Sequence, residues 1–146
     1  MESDMPRRSL KDLTTSELEK VYDRWFSIFI RLRDADDNGY VVCCTCWKIK
    51  KWNRGMDCGH YSKRNKAHRF NPDNCHAQCK YCNKWLKGDA DNHARYIDKR
   101  YGEGTAKELR DSENIQIDRP REWYLQKIEA IKPRVKRLIQ QKDYRE

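Results

Sequence analysis

Four of the seven cysteines stand in two CxxC pairs, Cys43 with Cys46 and Cys79 with Cys82. Two such pairs in a reduced chain are the usual frame of a tetrahedral zinc site. Cys44 and Cys46 also form a CxC pair, which leaves a second register open for the first pair. We assign Cys43 because its two-residue gap matches that of the second pair. The sequence therefore predicts a structural zinc ion held by four thiolates.

Polar residues suited to phosphodiester hydrolysis lie between these pairs and just after them. His60 is followed after fourteen residues by Asn74, and Asn74 after nine residues by Asn83. A neutral imidazole can take a proton from water, while a divalent cation stabilises the leaving oxygen of the phosphate. The spacing is close to that of HNH nucleases, which build their site on a ββα-metal fold. His60 is therefore the candidate general base.

The ligands of the catalytic cation are less clearly marked. Asn83 is one candidate and Asp57 the second, with His76 as the substitute for Asp57. Most HNH sites carry Asp or His directly before the base, whereas this chain has Gly59. On a regular strand Asp57 points away from the face of His60, so we expect a β-bulge at Gly59 to bring the two side chains together.

The stretches FIRLRDAD, CCTC, DCGHY and RFNPDNCHAQCKYCNKWLKGD resemble the phage NinG (Rap) recombination proteins, a family related to HNH nucleases. The similarity runs from about residue 21 to 140. It implies a structure-specific endonuclease that cleaves branched DNA, such as Holliday junctions and D-loops. It also implies His60 as the base, Asn83 as a ligand of Mg²⁺ or Mn²⁺, and Asn74 as the residue that fixes the loop holding His60. The four paired cysteines would bind the structural zinc.

The distribution of charge indicates a polyanionic partner. The chain has a formal net charge of +9, and residues 48–87 carry eleven basic residues against two acidic ones. Neutralising phosphates releases condensed counterions, which gives sequence-independent affinity. A merely solvated basic face is the alternative. The basic residues expected to contact phosphate are Lys63, Arg64, Lys66, Arg69, Lys84 and Lys87.

The spacing of apolar residues and the turn signals predict one α+β domain over residues 1–146. It consists of an N-terminal helix (14–35), a zinc-braced ββα-metal core (40–88) and a helical C-terminal part (89–146). The first helix should be capped by Thr15 or Ser16 and carries a wide aromatic face. We expect a β-hairpin from Trp47 to Tyr61, with His60 near the end of its second strand.

Further helices are expected after the hairpin. One should run from about 79 to 88, and others over 91–101, 105–109 and 120–142, the last kinked at Pro133.

The polar N-terminus and the absence of a long apolar run lead us to expect a cytoplasmic protein, in a bacterial host if it derives from a phage, with no membrane partner. Symmetric cutting of a four-way junction needs two active sites, so we expect a homodimer that uses the first and last helices.

Two other functions stay open. One is a non-catalytic zinc-finger module that binds DNA, and the other is an HNH enzyme that nicks linear duplex. The unpaired cysteines Cys44, Cys58 and Cys75 are expected to be small buried residues. The alternative is that Cys58 and Cys75 join His60 or His76 in a second zinc site, which would argue against catalysis. His68 and His93 lack partners in the sequence and are expected at the surface.

Overall fold

The structure, a computed structural model, describes residues 8–143. Small antiparallel sheets and helices follow one another, which confirms the α+β class. The elements are α1 (Thr15–Arg33), β1 (Tyr40–Val42), β2 (Ile49–Lys51), β3 (Met56–His60), β4 (Cys75–Cys79), α2 (Ala90–Tyr101), α3 (Thr105–Asp111) and α4 (Arg121–Lys142). Residues 1–7 lie outside the described residues. They include most of the polar N-terminus on which the expectation of a cytoplasmic protein partly rests.

Helix α1 begins with a capping box that starts one residue earlier than expected. The Thr14 hydroxyl accepts from the backbone N–H of Glu17 at 3.1 Å, and the Glu17 carboxylate accepts from the N–H of Thr14 at 2.9 Å. The cap is therefore Thr14, and not Thr15 or Ser16, because this pair satisfies two free N–H groups at once.

The core lies between α1, α4 and the β3–β4 sheet. The aromatic face of α1 is buried, and α4 covers it with apolar residues spaced three and four apart. The residues that α4 buries are Tyr124, Ile128, Ile131 and Val135. These faces are thus buried within the chain, and the expected dimer stays a prediction. Helix α4 continues past Pro133, which lies on its exposed side.

The strands pair differently from the prediction. β1 pairs with β2 and β3 pairs with β4, both antiparallel. The expected hairpin over 47–61 is therefore wrong. The first cysteine knuckle forms the turn between β1 and β2, with the Cys43 N–H donating to the Lys48 carbonyl at 2.8 Å. β3 pairs instead with β4, and His60 ends the first strand of that pair.

Between β4 and α2 the expected helix is reduced to one π-helical turn, Tyr81–Trp85, closed by the Leu86 N–H and the Tyr81 carbonyl at 3.1 Å. Helices α2 and α3 pack on each other around a small second cluster of Ile97, Ala106 and Leu109. Within residues 8–143, no helix has both the length and the apolar composition needed to cross a membrane.

Candidate functional site

The two cysteine knuckles meet in one place. The sulfur atoms of Cys43, Cys46, Cys79 and Cys82 all lie within 4.8 Å of one another, and those of Cys46 and Cys79 are 3.6 Å apart. Four thiolates at about 2.3 Å around a tetrahedral zinc ion are separated by about 3.8 Å. The residues therefore fit a structural zinc site. Cys44 lies outside this group, so the register with Cys43 is the one that the structure supports.

Backbone groups support thiolates at this site. The Cys79 N–H lies 3.3 Å from Cys43 Sγ, and the Cys82 N–H lies 3.5 Å from Cys79 Sγ. Burial disfavours ionisation of Cys43, but hydrogen bonds from Thr45 and from the backbone of Cys79 outweigh it and lower its pKa to about 6. Burial raises the pKa of Cys46 and raises that of Cys82 to about 12, so these two thiols would ionise only on binding a metal ion.

A cleft of about 500 Å³ opens beside β3. His60, Asp57 and Asn83, which the sequence singles out, all line it. The remaining charged residues that line it are Asp23, Arg31, Arg64, Lys80 and Lys84. The structure thus brings the candidate base and two candidate oxygen ligands to one basic cleft.

His60 is held by the loop that follows β3. Its Nε2 atom lies 3.0 Å from the backbone carbonyl of Arg69. A carbonyl can only accept, so Nε2 carries the proton and Nδ1 keeps its lone pair. Burial lowers the pKa of His60 and outweighs the Arg69 carbonyl and the Asp23 carboxylate, which raise it. The imidazole is therefore neutral near pH 7, as a general base must be.

Asn74 is fully buried beneath the same loop. Its Oδ1 accepts from the Ser62 N–H at 2.8 Å, and its Nδ2 donates to the carbonyls of Ser62 and His68, both at 3.2 Å. These three bonds tie the start of β4 to both sides of loop 61–68. The contacts suit the expected role of Asn74 in fixing the loop, and its effect on catalysis stays a prediction.

The bulge that we expected to bring Asp57 beside His60 is absent. The β3–β4 register runs unbroken from Met56 to His60, so the bulge at Gly59 is wrong and the Asp57 side chain projects from the opposite face of β3 to that of His60. The Lys80 N–H donates to the Gly55 carbonyl at 3.0 Å, which places the π-helical turn beside β3. Asn83 Nδ2 then reaches Asp57 Oδ2 at 3.0 Å.

Lys80 belongs to this site, although the sequence gave no reason to choose it over the other lysines. Its Nζ atom lies 2.6 Å from Asp57 Oδ1. Burial raises the pKa of Asp57, but hydrogen bonds from Lys80 and Asn83 outweigh it and lower the pKa below its ordinary value. The carboxylate is therefore ionised and already attracts a cation.

His76 does not lie in this cleft. Its Nδ1 is 3.0 Å from His93 Nε2, and its Nε2 is 2.9 Å from the Tyr101 hydroxyl. Both ring nitrogens are engaged in the interior between β4 and α2, so His76 cannot replace Asp57 as a ligand beside Asn83. His93 is fully buried there and not at the surface as expected. His68 is half-buried and has partners of its own, Ser112 and Asn71.

The basic residues expected to contact phosphate separate into two groups. Lys63, Arg64, Lys84 and Lys87 are exposed, although Arg64 pairs with Asp23. The Arg69 side chain is 15% exposed and pairs with Glu19 and Asp23 of α1, so its role as a phosphate contact stays a prediction. Lys66 is half-buried and lines a separate hollow near Glu113.

A family model described as Bacteriophage Lambda NinG protein matches residues 3–144. The chain belongs to the NinG family. The match confirms the resemblance to NinG seen in the sequence and extends beyond residues 21–140. No curated protein and no solved structure matches the chain significantly.

This NinG-family chain also brings together a second group of metal-binding residue types. One ligand atom each from Cys58, His60 and Cys75 lies within 4.8 Å of the other two. This grouping is the alternative that the sequence leaves open for Cys58 and Cys75. Because it includes His60, any metal bound there would change the chemistry of the cleft.

Proposed function

We propose that this NinG-family chain is a metal-dependent endonuclease that cleaves branched DNA, such as Holliday junctions and D-loops, in phage recombination. It would act in the cytoplasm of the bacterial host. The observation that carries the proposal is the basic cleft where His60 lies with the Asp57–Asn83 pair. A neutral base and two oxygen ligands that line one cleft are the groups that metal-assisted phosphodiester hydrolysis requires.

His60 would act as the general base in this reaction. His60 takes a proton from the attacking water on Nδ1, while the Arg69 carbonyl holds Nε2–H and fixes the ring. The nearby Asp23 carboxylate favours the imidazolium that forms. Protonated His60 is then stabilised without any rearrangement of the loop.

Asp57 and the Oδ1 atom of Asn83 would hold Mg²⁺ or Mn²⁺, since carboxylate and amide oxygens suit both ions. When bound there, the cation stabilises charge on the scissile phosphate and on the leaving 3′ oxygen. Lys80, which bonds to Asp57 Oδ1, would lose that partner to the cation and could then bond to a phosphate oxygen. Exposed Lys84 lines the same cleft and can hold the DNA backbone.

We infer the preference for branched DNA from membership of the NinG family. We infer the dimer from the symmetry of a four-way junction. A four-way junction has two symmetric cutting positions, so two copies of the chain are needed to cut both. The aromatic face of α1 is not available for this contact because α4 covers it. We therefore propose a homodimer that forms through another surface.

Cleavage of a labelled four-way junction and a duplex of equal length tests the proposal. Wild type, His60→Ala and His68→Ala are each assayed with Mg²⁺, with Mn²⁺ and without a divalent cation. We expect metal-dependent cutting of the junction by wild type and a loss of at least about 100-fold in His60→Ala. His68→Ala is the control because His68 contacts Ser112 and Asn71 outside the cleft.

The other outcomes identify the rival functions. Junction binding without cutting under any condition would leave a zinc-finger module that binds DNA. Equal cutting of duplex and junction would indicate a nicking enzyme for linear DNA. Circular dichroism of each variant excludes loss of the fold as the cause of lost activity.

A further inference from the structure

Cys58, His60 and Cys75 share one face of the β3–β4 sheet. Cys58 and His60 are two residues apart on β3, and Cys75 lies directly opposite His60 in the register. Side chains two apart on a strand, and those of directly paired residues, project to the same side. The three ligand atoms consequently fall within 4.8 Å of one another, apart from the four-cysteine site.

This cluster is held in place by the loop after β3. The Arg69 carbonyl lies 3.0 Å from His60 Nε2 and 3.6 Å from Cys75 Sγ, so one oxygen positions two of the three groups. Cys75 is fully buried, while Cys58 and His60 are half-buried and line the cleft. The cluster is therefore buried on the side of Cys75 and accessible from the cleft on the side of Cys58 and His60.

We propose that Cys58, His60 and Cys75 form a second zinc site, whose occupation removes His60 from its role as a base. Two thiolates and one imidazole are a donor set that zinc accepts with a fourth position left open. That open position faces the cleft. The inhibitory consequence rests on the proposed nuclease function, whereas the metal site does not.

The chemistry of the donors separates this site from the neighbouring one. Mg²⁺ and Mn²⁺ prefer oxygen and bind thiolates poorly, so they would go to Asp57 and Asn83. Zinc prefers sulfur and nitrogen and would go to the cysteine–histidine cluster. A zinc ion there uses the ring lone pair of His60 and displaces the thiol protons of Cys58 and Cys75. The cleft would then keep its oxygen ligands but lose its base.

Metal content measures the site directly. The full chain is titrated with Zn²⁺ in a reducing, metal-free buffer and its bound zinc is counted by mass spectrometry after desalting. We expect two zinc ions for wild type and one for Cys58→Ser or Cys75→Ser. Cys44→Ser is the matched control and should keep two, because Cys44 is buried outside both clusters.

A single bound zinc ion in wild type, or two in Cys58→Ser, would overturn the site. Cys58 is the main test because it is half-buried, so its replacement disturbs the core less than replacement of the fully buried Cys75. Titration with Co²⁺ gives a second readout. The thiolate charge-transfer absorption of the second equivalent should be absent in Cys58→Ser and present in Cys44→Ser.

The effect on His60 is measured by junction cleavage in Mg²⁺ with one and with two equivalents of zinc. The second equivalent should slow wild type and Cys44→Ser at least about tenfold and leave Cys58→Ser unaffected. Two bound zinc ions with unchanged cleavage would overturn the inhibition. A chain that binds two zinc ions and never cuts DNA would support the site and count against the proposed function, so the two failures are distinguishable.

Discussion

Gly59, directly before the candidate base, stands where the fold leaves no room for a side chain. A Cβ atom at Gly59 would lie 2.4 Å from Gln78 Oε1 and 2.9 Å from Gln78 Cβ, closer than real contacts allow. Gln78 is fully buried and donates to Thr45 Oγ1 at 3.2 Å and to the Gly88 carbonyl at 2.7 Å. Gln78 thus fills the space that a side chain at Gly59 would need.

We expect Gly59→Ala to lower the free energy of unfolding by about 1–3 kcal/mol, because an added methyl group overpacks a filled site. Chemical denaturation of the zinc-loaded chain measures it. The control is a double-mutant cycle with Gln78→Ala, in which the methyl group should cost less because the clashing side chain is gone. An equal loss in both backgrounds would contradict the steric explanation.

At the scale of elements, the Tyr81–Trp85 turn joins the cleft to an exposed aromatic surface. Asn83 lines the cleft, whereas Tyr81 and Trp85 of the same turn are 56% and 80% exposed. Exposed Lys84 and Lys87 flank Trp85. Aromatic side chains among lysines can stack on exposed base faces, and the crossover of branched DNA is where stacking between neighbouring base pairs is interrupted.

Trp85→Ala should therefore weaken binding to a four-way junction by about 1–3 kcal/mol, the worth of one stacked base, and change duplex binding little. Fluorescence anisotropy with both DNAs at the same salt concentration measures the difference. Leu86→Ala is the control, since Leu86 is an exposed neighbour without a ring to stack. Equal weakening on junction and duplex would show that Trp85 does not recognise the crossover.

The sequence predicted those elements whose evidence is local. The periodic apolar faces of α1 and α4, the short helix α3 and the cysteine quartet depend on spacings of a few residues. The β3–β4 pairing escaped prediction because β4 begins fifteen residues after His60, while Asn53–Gly55 indicated a turn nearby. His93 was misplaced for the same reason, since its partner His76 lies seventeen residues away.

At the scale of the whole molecule, buried histidines link stability to pH. His76 and His93 hold α2 against β4, and Tyr101 joins them through its hydroxyl. Burial, and to a smaller extent the charge of His60, lowers the pKa of His93 to about 4. Burial and the charge of His93 lower the pKa of His76 below that of His93. The other charged groups that act on the pair are Arg33, Arg100 and Asp89.

The sign of the effect follows from the proton balance. Unfolded histidine takes up a proton near pH 6.5, whereas folded His93 stays neutral down to about pH 4. Between these values the unfolded state binds more protons, so the free energy of unfolding falls as the pH falls. The contribution of the neutral buried histidines to the free energy of unfolding is fully present above pH 6.5. It is lost progressively below that pH, at up to about 1.4 kcal/mol per pH unit for each such histidine.

We therefore expect the free energy of unfolding to fall between pH 7 and 5.5, and to fall less steeply in His93→Gln. Glutamine can still bond to His76 but takes up no proton in this range. Denaturant titrations at several pH values measure both slopes. Protonation of the zinc ligands also destabilises the chain in acid, but it affects both proteins alike and cancels in the difference between them. Equal slopes in wild type and variant would mean that His93 does not couple folding to pH.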